Sequence, residues 1–205
     1  MPRIALIDYD IGNLRSAEKA LQKVGATVVR ATSPEMLQGV DGAVLPGVGA
    51  FRDCVKCLGE HRMTEAVGDF IRSDRPFLGI CVGLQMLFET GHENGAHAGL
   101  GLLGGHVDRL RAEGLKVPQI GWNRVRMIRD GCPLFRGIAD GSHFYFVHSY
   151  AVRPLQPDVV AAITEYGETY PSVVWRGNLY ATQFHPEKSQ QAGLTLLENF
   201  VSLCR

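Results

Sequence analysis

The chain has 205 residues, 45 % of them hydrophobic, enough for one large domain or two small ones around a sizeable core. Lysine plus arginine and aspartate plus glutamate balance at 21 each, so no basic surplus exists to hold a nucleic-acid backbone or an anionic membrane. The cysteines Cys54, Cys57, Cys81, Cys132 and Cys204 are odd in number and unevenly spread, unlike a secreted disulfide framework. Met1 is followed at once by "PRIALIDYD", which has no apolar h-region or small-residue cleavage site, and no later stretch approaches ~18 apolar residues in a row. A cytoplasmic protein with reduced thiols is the expectation.

"RIALID" reads as a short buried strand. "NLRSAEKALQKVG" follows, with Leu14, Ala17, Leu21 and Val24 on one helical stripe and Gly25 as its stop. "TVVRA" predicts a second strand and "GAVLPG" a third that ends at Pro46 and Gly47. From Phe51 to about Ser73 the spacing predicts helix, broken near Gly59; "PFLGI" then supplies a fourth strand and "VGLQMLFET" another helix. Strands alternating with helices imply crossover units and a parallel sheet. After Gly91 the pattern changes. "HENGAHAGLGLLGGHV" reads as glycine-rich loop, and "NRVRMI", "HFYFVHSYAV", "DVVAAIT", "SVVWRG" and "LYATQF" as strands with few helices between them. A mixed, partly antiparallel second half is the consequence. "SQQAGLTLLENFVSL" closes the chain as a helix that covers the sheet through Leu194, Leu197, Phe200 and Val201. No repeat, low-complexity tract or Pro/Ser-rich linker interrupts residues 1–205, which are read as a single α/β domain.

Cys81 stands where the fourth strand runs out and a helix begins, inside Gly79-Ile80-Cys81-Val82-Gly83. This is the G-x-nucleophile-x-G form of a nucleophile elbow, in which a strained strand-to-helix turn exposes the side chain and glycines keep neighbours from clashing. A thiol at a helix N-terminus also meets unpaired N–H groups and the positive end of the dipole, which favour the thiolate. The plainer alternative, a packing thiol behind the sheet, stays open but is disfavoured by the strand and helix signals on either side.

A cysteine nucleophile needs a base, and seven histidines compete: His61, His92, His97, His106, His143, His148 and His185. His185, in "LYATQFHPEKS", directly follows an apolar strand, and Pro186 holds it extended. Residues two apart in an extended chain point to the same side, so the Glu187 carboxylate can lie beside the His185 ring and set its tautomer. Backbone N–H groups around Val48 and Gly49 in "LPGVGAF", with that of Val82, are candidate donors for a developing oxyanion.

Together "PGVGAF", "GICVGLQMLF" and "QFHPEKS" resemble the class I (triad) glutamine amidotransferase family, and the likeness runs from "IDYDIGN" through "QIGWN" to the end of the chain. The resemblance implies a three-layer α/β sandwich around a mixed, largely parallel sheet with a flavodoxin-like core. It further implies a glutaminase in which Cys81 attacks the glutamine side-chain amide, His185 transfers protons and Glu187 orients His185. Gln85, Glu93, Ser149 and Tyr150 fall on positions that hold the amino-acid end of glutamine. Gln85 also lies one helical turn after Cys81, on the same face. "QIGWN" and "FYFVHSY" are similar to members that form a heterodimer with a (β/α)8-barrel cyclase in histidine biosynthesis. By that likeness Asn13, Trp122, Tyr145 and Lys188 are candidates for the docking face. The family usually has glycine at the position of Asp10, a departure that falls on the loop leading to Asn13.

Two other readings stay open: a glutaminase for another acceptor, such as anthranilate or a purine precursor, and a non-catalytic binding subunit of the same fold. "GLGLLG", Gly99 to Gly104, formally satisfies the dinucleotide fingerprint, but it follows a polar loop and opens no helix. "HENGAH" spaces His92 and His97 five apart, not the four that share a helix face, and Cys54 and Cys57 lack a second ligand pair. No metal and no cofactor are expected. In "HFYFVHSYAV", Tyr145 and His148 are the candidate exceptions to a core-facing alternation.

Overall fold

The computed structural model describes residues 1–204. The first half runs β1 (Arg3–Ile7), α1 (Leu14–Lys23), β2 (Thr27–Ala31), β3 (Gly42–Gly47), α2 (Phe51–Glu60), α3 (Met63–Arg72), β4 (Phe77–Cys81) and α4 (Val82–Met86). The second half is mostly strand: β5 (Phe88–Gly91), β6 (His97–Ala98), β7 (Leu103–Arg109), β8 (Gln119–Arg124), β9 (Arg126–Met127), β10 (His143–His148), β11 (Tyr150–Pro154), β12 (Val160–Tyr166), β13 (Glu168–Arg176) and β14 (Leu179–Thr182). Helix α5 (Gln190–Leu203) follows.

Eight strands form one sheet in the order β2-β1-β3-β4-β14-β13-β12-β9. The first five are parallel, and β13, β12 and β9 continue it antiparallel. Strands β3, β4 and β14 are buried along their whole length, as central strands covered on both faces must be. The step from β1 to β2 moves toward one edge and the step from β3 to β4 toward the other. Right-handed crossovers therefore place α1 and the α2–α3 pair on opposite faces. Helix α5 packs against α1, its Leu196, Leu197, Phe200 and Val201 buried and Leu194 half-buried. Two smaller sheets, β10-β8 and β11-β7-β5-β6, complete the molecule.

The alternating first half follows the sequence, with two shifts. The break in the helical stretch falls at Arg62, which adopts φ 57°, and not at Gly59. Only Val82–Met86 of the segment expected as a longer helix is helical. Phe88–Gly91 instead pairs in parallel with Leu103–Arg109, four residues being too few for periodicity to decide between helix and strand. The segment read as glycine-rich loop likewise holds β6 and β7. Gly105 lies so close to β11 that a Cβ there would run into the Arg153 carbonyl, so this glycine marks close strand packing, not disorder. Asp10, where the resemblance implies glycine, sits at φ 67°, a left-handed conformation that glycine adopts freely and aspartate tolerates better than most residues.

Candidate active site

Strands β3, β4 and β14 end side by side, with Gly47 beside Cys81 and Ile80 beside Thr182, so the loops that follow them converge. Ligand sites in open α/β sheets lie at such carboxyl ends. Cys81 closes β4 at φ 57° and ψ −111°, a strained conformation that holds the thiol at the head of α4. Both flanking glycines are required for steric reasons. A Cβ on Gly79 would stand 2.9 Å from the Gly83 carbonyl oxygen, and one on Gly83 would overlap the Leu45 carbonyl of β3. Because α4 is only five residues long, it offers the thiol its first free N–H groups and little accumulated dipole.

His185 leaves β14 just before the turn Pro186–Lys188, and its Nδ1 donates to Glu187 Oε1 at 2.8 Å, both side chains being 2 % exposed. The ring is held from several sides. Its backbone N–H donates to the Tyr145 carbonyl (2.9 Å), and Ser189 Oγ donates to the His185 carbonyl (2.6 Å) and accepts the Tyr145 N–H (3.0 Å). Phe184 stacks on Phe144 at 4.2 Å. Nε2 is buried with no hydrogen-bond partner among the described residues, and the neighbouring thiol is that of Cys81. Burial opposes the charged imidazole, but Cys81 and Glu187 outweigh it and raise the pKa of His185 well above its usual value.

Thiol and imidazole open onto a cavity of about 380 Å3 lined by Val48, Gly49, Val82, Gln85, Glu93, Ser149, Tyr150 and Lys188 among others. Every residue expected for catalysis, oxyanion stabilisation or glutamine binding except Glu187 lines it; Glu187 stands behind His185. Gln85 is buried and donates its amide to the Tyr150 carbonyl (3.0 Å) and Gln183 Oε1 (3.2 Å), which makes it a clamp on the cavity wall. Glu93 accepts the Phe51 N–H at 2.7 Å. Of the four expected docking residues, Trp122 and Tyr145 meet edge-on at 6.2 Å across paired strands, and Lys188 lies 5.9 Å from the Tyr145 ring. Asn13 stands at the N-cap position of α1 without a side-chain capping bond, and α1 packs against the turn Pro186–Lys188.

Sequence reasoning missed Gln183, which is fully buried and directs its amide at Cys81 Sγ (3.8 Å). The only trace was its place two residues before His185, on the same side of an extended chain. It also named His148 as an exception to the core-facing alternation, whereas His148 is buried in step with Phe144 and Phe146. There Nδ1 donates to the Tyr150 carbonyl (2.9 Å) and Nε2 pairs with the Tyr170 hydroxyl (3.2 Å), itself bound to Gln119 Oε1 (2.8 Å). Tyr145, by contrast, is half-exposed as anticipated.

Burial lowers the His148 pKa from 6.5 to about 4, against the pull of the Tyr150 carbonyl. Between these values the unfolded chain binds a proton at this position that the native chain refuses. Its stabilising effect is therefore complete above pH 6.5 and is lost as pH falls to about 4, a loss of about 3 kcal/mol. Urea unfolding at a series of pH values across this window should show that decline, and His148→Gln should flatten it.

A cysteine on an elbow, an imidazole oriented by a carboxylate and a cavity sized for a small amino acid together define a triad amidotransferase. The sequence profile described as "Glutamine amidotransferase class-I" matches residues 5–203, and the chain belongs to that family. Similar relatives include the "Imidazole glycerol phosphate synthase subunit HisH" of Rhodopirellula baltica, 49 % identical over 201 residues that cover 97 % of each chain. That of Moorella thermoacetica is 48 % identical over 205 residues, covering 100 % of this chain and 97 % of the relative. Among solved structures, PurLQS from Thermotoga maritima superposes with a TM-score of 0.79 at 16 % identity, covering 100 % of this chain and 99 % of that one. The glutaminase domain of Trypanosoma brucei CTPS gives 0.69 at 14 % identity, covering 99 % and 92 %. These two likenesses concern the fold.

Proposed function

We propose that the chain is the glutaminase subunit of an imidazole glycerol phosphate synthase, releasing ammonia from glutamine for a cyclase partner. The observation that carries the chemistry is the strained Cys81 beside a buried His185 whose far nitrogen is bound by Glu187. Cys81 passes its proton to His185 Nε2 and its Sγ attacks the amide carbon, and the oxyanion meets N–H groups of the Val48–Gly49 loop and of Val82. His185 delivers its Nε2 proton to the departing ammonia. Neutral again, it takes a proton from the water that hydrolyses the Cys81 thioester to glutamate. Gln85 and Gln183 steady the wall and the thiol, while Glu93, Ser149 and Tyr150 receive the amino-acid end.

Glu187→Gln keeps the shape but removes the charge that fixes the tautomer and supports the imidazolium. Its kcat should fall by about 10²–10⁴, with little change in the melting temperature. A diazoketone analogue of glutamine tests the site directly. It should label Cys81 once per chain, with protection by glutamine, and spare Cys54, Cys132 and Cys204; label spread over the other thiols would overturn the assignment.

The high full-length identity to proteins named as subunits, with Trp122, Tyr145 and Lys188 on one face, supports a barrel cyclase as partner in a heterodimer. Ile120 and Trp122 are 63 % and 46 % exposed on β8, large apolar groups that a partner would cover. That partner combines the ammonia with a phosphoribulosyl-formimino carboxamide ribonucleotide, yielding imidazole glycerol phosphate and an aminoimidazole carboxamide ribotide. A route for control runs inward from the Asn13 loop. The Tyr9 hydroxyl donates to the Pro46 carbonyl (2.7 Å), and Gly12 packs on the Pro46 ring, next to the Val48–Gly49 loop. With Gly49 at φ 87°, a peptide there can turn without Cβ strain, so docking of the loaded partner can set the oxyanion donors.

A further inference from the structure

The histidine pair in "HENGAH" does not assemble. His92 meets His106 and Asp108 instead. Strand β5 runs parallel to β7 with Thr90 beside His106 and Gly91 beside Val107, and the His92 N–H continues the ladder to the Val107 carbonyl (3.0 Å). His106 and Asp108, two apart on β7, therefore share a face. His92, directly across from Asp108, shares that face as well. Asp108 bridges the rings: Oδ1 meets His92 Nδ1 at 2.7 Å and Oδ2 meets His106 Nε2 at 3.2 Å, with ring centroids 5.2 Å apart. One ligand atom from each residue lies within 4.8 Å of the other two.

We propose that His92, His106 and Asp108 form a binding site for a transition-metal dication, zinc above all, on the exposed face of the four-stranded sheet β11-β7-β5-β6. Two imidazoles and one carboxylate suit zinc with bonds of roughly 2.0–2.2 Å, which leaves the fourth position to water. Ligand atoms around such an ion stand roughly 3.4 Å apart; the contacts with Asp108, at 2.7 and 3.2 Å, would open slightly, and no pair, all lying within 4.8 Å, would have to close by more than about 1.4 Å. All three are partly exposed and free to do so. Each ring would offer the lone pair of the nitrogen that faces Asp108, with its N–H on the other ring nitrogen. The nearby cation is Arg153, opposite His106, and it is held by Glu168 at 2.6 Å.

His92 adjoins Glu93, whose carboxylate holds the Phe51 N–H and lines the Cys81 cavity. An ion pulling on His92 is thus felt at the amino-acid end of glutamine, a coupling that rests on the proposed function.

Calorimetry with zinc chloride and absorption spectroscopy with cobalt chloride test the site on the purified chain in a Cys81→Ser background. One ion should bind per chain, without a thiolate-to-cobalt charge-transfer band, and raise the melting temperature. His106→Ala and Asp108→Asn should each weaken binding by at least about tenfold. Unchanged affinity in both variants, or a spectrum with thiolate ligation, would overturn the site. Separately, zinc should change the KM for glutamine of the chain with Cys81 intact and not of its His106→Ala variant. An equal change in both would overturn the coupling and leave the binding result standing.

Discussion

Cys81→Ala should lower glutamine hydrolysis by at least about 10⁴-fold, while the complex with its cyclase still forms product from added ammonium. The two halves of this result separate chemistry from architecture. Cys81 is buried, yet its loss removes one sulfur atom from a position where the backbone is already set by Gly79 and Gly83. The elbow, the Gln183 amide and the His185–Glu187 pair stay in place. Ammonium bypasses the thioester, so only the glutamine-dependent reaction disappears. Loss of both activities would assign Cys81 to the interface or the core.

Gly83→Ala should be among the most damaging single methyl additions near the site. The new Cβ would meet the Leu45 carbonyl oxygen, which belongs to the buried central strand β3 and cannot swing aside like a side chain. Overpacking that can relax costs about 1–3 kcal/mol; here the strand and the helix start must part, so about 3 kcal/mol or more is expected. Denaturant unfolding measures it. Activity should fall too, because the displacement carries Cys81 and the Val82 N–H away from His185. An ordinary stability would mean that β3 and α4 are less tightly opposed than described.

Much of the site was legible because its parts are local. The elbow spans five consecutive residues and His-Pro-Glu three, and in each the backbone dictates where the side chain goes. The five parallel strands were legible for a similar reason, being apolar runs punctuated by glycine, proline or a helical stripe. What escaped depends on strands that meet far apart in sequence. Gln183 reaches Cys81 across 102 residues, and Ser189 clamps Tyr145 across 44. The β5–β7 pairing was hidden because glycines that permit close strand approach look, in one dimension, like loop. His92 and His106 come together only through that pairing. The dipole of α4 was overestimated, since a helix of five residues carries little of one.

The most direct test of the central claim is glutamate release from glutamine by the purified chain, alone and with a (β/α)8-barrel cyclase loaded with its nucleotide substrate, with Cys81→Ala as the blank. Slow release alone, strong acceleration by the loaded partner and none in the blank is the predicted result. Rapid release that the partner leaves unchanged would contradict the coupling of this glutaminase to imidazole formation.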